Sequence, residues 1–142
     1  MIYFDACYVV RLYIDDPGWQ VVRAFAATDH LACALHGRAE TVAAFHRKLR
    51  EGALTRAEFR TVLDQFEVDC AAGAIAWLPL SLAVVDRATR LYRILSRTHP
   101  LRSADALHLA CAAENRFREV YSNDRRLLAS AVHFRLRGVD LI

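Results

Sequence analysis

The stretch Leu101-Arg-Ser-Ala-Asp-Ala-Leu-His-Leu-Ala-Cys-Ala-Ala113 carries only two polar side chains between Ala104 and Ala113, those of Asp105 and His108. A helix that is apolar nearly all round is a buried helix. An ionised carboxylate there has to be paired, protonated or bound to a cation, because an isolated charge in a low-dielectric interior is costly. Arg102 is one candidate partner and His108, one helical turn on, is another. The partial positive charge of a helix N-terminus would also favour a first-turn Asp. The rest of the chain has to be read for what else Asp105 meets.

Outward from this helix, short β-prone runs alternate with helical patterns. Ile2-Tyr-Phe4 reads as a strand ending at Asp5, with a helix-compatible stretch through Ile14 and a turn at Asp15-Asp-Pro-Gly18. Trp19 to Ala27 reads as a helix, Leu31 to Leu35 as a short strand, and Ala39 to Arg50 as a helix that Gly52 ends. Thr55-Arg-Ala-Glu58 is a capping box, and Phe59, Val62, Leu63 and Phe66 give the helix behind it an apolar stripe that runs toward Gly73. Ile75 to Leu78 is the next strand. Ser81 opens a helix patterned through Leu95 and ending before His99-Pro100. After the Asp105 helix come a strand at Glu119 to Ser122, a helix at Asp124 to Ala131 and a final strand at Val139 to Ile142. Strands alternating with helices predict an α/β domain with a mostly parallel sheet.

The chain has 142 residues, 55% hydrophobic and 25% charged, which suits one domain over residues 1–142 with a real core. No repeat, low-complexity tract or linker interrupts it. Asp5 breaks the apolar N-terminus and no basic segment precedes it, so a signal peptide is not expected. No apolar run is long enough to span a bilayer, and the expected location is the cytoplasm. Cys7, Cys33, Cys70 and Cys111 form no Cys-x-x-Cys pair and read as small core residues in a reducing compartment. The six histidines show no His-x-x-x-His pattern, so no structural zinc is expected. A net charge of +3 permits a nucleic-acid substrate without arguing for one. Basic residues cluster at Arg47, Lys48 and Arg50, at Arg116 and Arg118, and at Arg125, Arg126, Arg135 and Arg137; each cluster is a solvated face unless they converge on an acidic centre.

Parallel α/β sheets bind ligands beyond the carboxyl ends of their strands. Asp5 falls at the end of the first strand, Glu40 enters the helix after the second, Asp105 enters its own helix and Asp124 follows the strand Val120-Tyr-Ser122. Gathering such acids without counter-charge is destabilising, and divalent cations resolve the conflict. Hard oxygen donors suit Mg²⁺ or Mn²⁺, and such ions can promote phosphodiester cleavage. No glycine-rich phosphate loop, Gly-x-Ser-x-Gly elbow or Cys/His pair at motif spacing supports other chemistries.

Over essentially its whole length the chain resembles the PIN-domain ribonucleases, and within them the VapC-type toxins of toxin–antitoxin pairs. The resemblance rests on Ile2-Tyr-Phe-Asp-Ala-Cys-Tyr-Val-Val-Arg-Leu-Tyr13, on Arg38-Ala-Glu-Thr-Val42, on Leu101 to Ala110 as the most specific motif, and on Tyr121-Ser-Asn-Asp-Arg-Arg-Leu-Leu128. It implies a three-layer α/β/α PIN-like fold and metal-dependent RNA cleavage with Mg²⁺ or Mn²⁺, leaving 5′-phosphate and 3′-hydroxyl ends. It also implies a homodimer and a cognate antitoxin partner. Asp5, Glu40, Asp105 and Asp124 become the metal-binding and catalytic acids, and Ser122 a supporting polar residue. Ala6 and Cys7 depart from the hydroxyl or amide residues usual after the first acid, and His36-Gly37 from the hydroxyl-rich approach to the Glu.

Singly, Asp5 and Asp124 also read as helix caps and Glu40 as a first-turn partner of the helix dipole. Their joint coincidence with four motifs favours the metal site. The alternatives are a catalytically weak PIN domain acting as a protein- or RNA-binding module, suggested by Ala6 and Cys7, and a DNA-directed nuclease using the same acids. Asp15 and Asp16 read as turn residues. Tyr8, Leu12, Tyr13 and Trp19 offer a large apolar surface suited to a dimer or antitoxin groove.

Overall fold

Successive residues of each strand feed two different cores. Tyr3, Ala32, Ala34 and Val120 pack in one, while Ile2, Phe4, Cys33 and Ile75 pack in the other. That alternation is the period-two geometry of a sheet covered on both faces, and the strands are accordingly apolar throughout. The computed structural model describes all residues, 1–142. In chain order its elements are β1 (Ile2–Tyr3), α1 (Ala6–Arg11), α2 (Trp19–Ala26), β2 (Leu31–Ala34), α3 (Leu35–Arg50), α4 (Arg56–Ala72) and β3 (Ile75–Leu78). There follow α5 (Leu82–Leu91), α6 (Ser103–Glu114), β4 (Glu119–Tyr121), α7 (Arg125–Ser130), a 3-10 turn at Ala131–Phe134 and β5 (Arg137–Val139).

All pairings are parallel: β1 with β2, β2 with β3 and β4 with β5, the two groups joined by a parallel bridge between Phe4 and Tyr121. The spatial order is therefore β3-β2-β1-β4-β5, with α1 to α4 supplying one face and α5 to α7 the other. This is the expected three-layer α/β/α arrangement with a parallel central sheet. The order reverses direction between β1 and β4, and such a switch point opens a crevice beyond the strand ends. Phe45, Phe66 and Val22 fill one core while Leu109, Val84 and Leu127 fill the other, all essentially inaccessible to water. Each such side chain contributes about 1.5–3 kcal/mol.

Three boundaries differ from expectation. α3 begins at Leu35 rather than Ala39, because β2 runs straight into it and Gly37 is a helical residue. A Cβ at Gly37 would lie 2.5 Å from Cys33 Sγ, so glycine is what lets the first turn seat against β2. α5 stops at Leu91 rather than Leu95. Past Leu91 the backbone tightens to bonds three residues back, from the Arg93 amide to the Arg90 carbonyl at 3.2 Å and from Ile94 to Leu91 at 3.0 Å. β5 covers Arg137–Val139 rather than Val139–Ile142. Gly138 lies so close to α7 that a Cβ would meet the Leu128 carbonyl oxygen at 3.0 Å, while Tyr8 donates to Asp140 at 2.7 Å and draws the tail off the sheet.

The large N-terminal aromatics are not a free surface. Tyr8 is fully buried, and Tyr13 sets its ring edge-on against Phe45 and Phe66 while its hydroxyl donates to Asp69. Trp19 lies under the Arg23 guanidinium, 4.2 Å from the ring centre. No helix is long and apolar enough to cross a membrane.

Candidate functional site

The end of β1 and the end of β4 lie side by side, and both deliver polar residues into the crevice. Asp5 donates its amide to the Tyr121 carbonyl at 3.1 Å, which continues the sheet by one bond. Its carboxylate caps α1, with Oδ1 accepting from the amides of Cys7 at 3.0 Å and Tyr8 at 3.3 Å. The other oxygen accepts from the Ser122 hydroxyl at 2.6 Å, and Ser122 Oγ in turn accepts from the Asp124 amide at 2.8 Å. Ser122, wholly buried, thus holds two of the acids in register. Cys7 takes part as well: its Sγ lies 3.5 Å from Ser122 Oγ and receives the Asn123 amide at 3.5 Å. The contacts expected to be missing after the first acid are supplied by backbone amides, Ser122 and this thiol.

Asp124 caps α7, accepting from Arg126 at 2.8 Å and Leu127 at 3.4 Å through Oδ1. Cap and cleft roles therefore coincide at Asp5 and Asp124, each carboxylate dividing its two oxygens between them. Asp105 sits in the first turn of α6, 8% exposed, with Oδ2 buried and lacking any partner. Neither expected neighbour pairs with it. Arg102 instead lies 3.9 Å from Asp124, and His108 turns away to Glu40 at 2.7 Å. Glu40 lies beyond the first turn of α3, so it is not a partner of that helix's N-terminal charge.

Asp5, Glu40, Asp105 and Asp124 line one cleft of about 370 Å³, together with Cys7, Arg11, Arg47, Arg102, His108 and Asn123. Asp16 stands at its rim, held by Lys48 rather than serving the turn alone. The electrostatics are those of acids short of counter-charge. Burial pushes the Asp5 carboxyl above its ordinary range, although His108, Cys7 and Ser122 oppose the shift. Burial and then the charge of Asp124 raise Asp105 against the pull of Arg102. For Glu40 burial acts upward, but the His108 hydrogen bond and the two histidine charges outweigh it and hold the carboxyl low. Burial and the charge of His108 hold His36 below the usual histidine range.

Basic residues converge only in part. Arg11, Arg47 and Arg102 reach the cleft, whereas Arg116 and Arg118 lie at the opposite edge of the sheet beside Met1 and Glu119. Arg11 is buried and spends its guanidinium on the carbonyls of Cys7 and Pro17 and on Asn123, none of them a carboxylate. Sequence reasoning misses Arg11 and Asn123 as cleft residues, and misses that His36 and His108 stand beside Glu40. For His36 the available signal is its spacing, four residues before Glu40 on the same helix.

The PIN domain family model matches residues 2–132. The chain belongs to the PIN domain family. The PIN fold extends to a solved structure, that of the Mycobacterium tuberculosis toxin VapC20, described as cleaving the sarcin–ricin loop. The two superpose with a TM-score of 0.68 at 12% identity, over 92% of this chain and 95% of that one. No curated protein sequence matches the chain. Within this PIN domain the donor set is four carboxylates facing one cleft, one of them with an unmet buried oxygen. Hard oxygen ligands of this kind fit Mg²⁺ or Mn²⁺.

Proposed function

We propose that this PIN domain is a Mg²⁺- or Mn²⁺-dependent endoribonuclease and the toxin of a toxin–antitoxin pair. The observation that carries the reading is the cleft itself: four carboxylates from β1, α3, α6 and the end of β4, whose only Lys or Arg ion pair is Arg102 at 3.9 Å from Asp124. Asp5, Glu40, Asp105 and Asp124 would hold the ion, which when bound supplies charge neutralisation and activation of water at a scissile phosphate. The chain's own groups do the positioning. Ser122 and the α1 amides fix the Asp5 carboxylate, His108 fixes Glu40, and Arg47 and Arg102 at the cleft rim contact the phosphates on either side. Fixed carboxylates bind an ion more tightly than mobile ones because little freedom is lost on binding. An antitoxin protein and self-association belong to this reading on family grounds; of the N-terminal side chains expected at such a surface, Tyr8 is buried while Leu12, Tyr13 and Trp19 are half-buried.

The test is cleavage of loop-containing RNA by purified protein with and without Mn²⁺, alongside Asp105→Asn. Metal-dependent cutting is expected, with the variant reduced by more than the roughly 10–100-fold typical of residues that merely support a ligand. Expression without a partner should arrest growth for the parent and not for the variant. Equal toxicity of the two, or RNA binding without cleavage, would make this domain a binding module.

A further inference from the structure

Glu40 faces two imidazoles as well as the other carboxylates of the cleft. Its Oε2 lies 2.7 Å from His108 Nε2 and 3.7 Å from His36 Nε2, and one donor atom from each of these three side chains falls within 4.8 Å of the others. The protons around His108 are constrained. Tyr3 has a single hydroxyl proton and donates it to the His108 carbonyl at 2.9 Å, so toward His108 Nδ1, 3.3 Å away, it can only accept. His108 Nε2 faces the Glu40 carboxylate at hydrogen-bond distance, where either a ring proton or a metal ion can stand between them.

His36 decides between the two. A proton shared by His108 and Glu40 needs no neighbouring imidazole, yet the rings of His36 and His108 sit 4.2 Å apart centre to centre. The hydrogen bonding of His36 is also incomplete, since Nδ1 is buried without a partner; Nε2 donates to the Ala104 carbonyl at 3.2 Å and gives up that bond and its proton on binding an ion. Gly37 makes the space, because a Cβ there would lie 3.0 Å from His108 Cε1. Tyr3 plays the part that a fixed acceptor plays behind a ligating histidine, setting the ring so that its other nitrogen points at the ion.

We propose that His36, Glu40 and His108 form a site for a borderline transition-metal ion of the Zn²⁺ class, on the wall between α3 and α6 and sharing Glu40 with the carboxylate cleft. Two imidazoles and one carboxylate suit such an ion better than Mg²⁺, and the fourth position is open to water. The fit requires small movements. Tetrahedral coordination at about 2.0–2.2 Å separates ligand atoms by about 3.3–3.6 Å, so Glu40 and His108 must part by somewhat less than 1 Å and His36 must move in toward both. Glu40 has the most exposed side chain of the three, so the adjustment falls mainly on it once an ion replaces its bond to His108. An ion held here withdraws Glu40 from the carboxylate cleft.

Co²⁺ takes the place of Zn²⁺ and reports nitrogen ligation by its visible absorption. Added at one equivalent to the purified protein, it should give ligand-field absorption that one equivalent of Zn²⁺ abolishes and excess Mg²⁺ does not. His36→Ala should lose the absorption and bind Co²⁺ more than about 100-fold more weakly, with thermal melting showing that it is folded; the half-buried position of His36 makes this variant decisive where His108→Gln fails to fold. Asp105→Asn should keep the absorption, so this site and the proposed nuclease site stand or fall separately. Absence of absorption in the parent, its persistence in His36→Ala or its loss in Asp105→Asn would overturn the proposal.

Discussion

At the scale of single residues, Ser122 has the widest influence for its size. It donates to Asp5 and accepts from the Asp124 backbone, so Ser122→Ala leaves a buried carboxylate oxygen and a backbone amide unmet. Denaturant unfolding should show a loss of about 1–3 kcal/mol, and calorimetry should show Mn²⁺ affinity reduced about 10–100-fold. Asp105 predicts the opposite sign for stability. Its folded pKa is raised, so the folded state binds more protons than the unfolded chain, and stability falls as pH rises from the ordinary Asp value of about 3.9 through the folded value. Asp105→Asn removes that loss. Without metal, its melting temperature should exceed the parent's at pH 7, and the difference should vanish below about pH 3.9; a variant less stable than the parent at pH 7 would make Asp105 a structural residue.

At the scale of elements, α4 tests whether a helix remote from the cleft can be weakened without touching the chemistry. Thr55 and Glu58 form a complete capping box, so Thr55→Ala should cost about 1 kcal/mol by thermal melting while leaving RNA cleavage per folded molecule unchanged. This cap was readable in the chain because both partners lie within four residues. The same locality made β1 to β4 and the burial of α6 legible, each written in a run of apolar side chains. The starts and stops that were misread depend on distant residues. Gly37 is a poor helix residue whose place is explained only by Cys33 and His108 beside it, and the register of β5 follows from the contact of Gly138 with Leu128. The candidate site divides in the same way. Asp5, Glu40, Asp105 and Asp124 could be picked out because motifs mark them, whereas the bond from His108 to Glu40 joins residues 68 positions apart and has no local trace.

At the scale of the whole molecule, charge is unevenly placed. Arg47 and Arg102 flank the acids, while Arg116 and Arg118 lie at the far edge of the sheet. RNA affinity measured by filter binding should fall steeply as salt rises. Arg102→Gln should flatten that dependence, while the same change at Arg116 should leave it unaltered. The central position of β1 in the sheet has a consequence in time. The first strand made is flanked by β2 on one side and waits for β4 on the other, and Asp124 emerges about 120 residues after Asp5, roughly 6–24 s later at ordinary rates of synthesis. Until then the cleft does not exist. A ribosome that stops anywhere before Ser122 releases a fragment that has neither the hydroxyl holding Asp5 nor the fourth acid, so the four-carboxylate cleft is completed only in chains that run past Asp124.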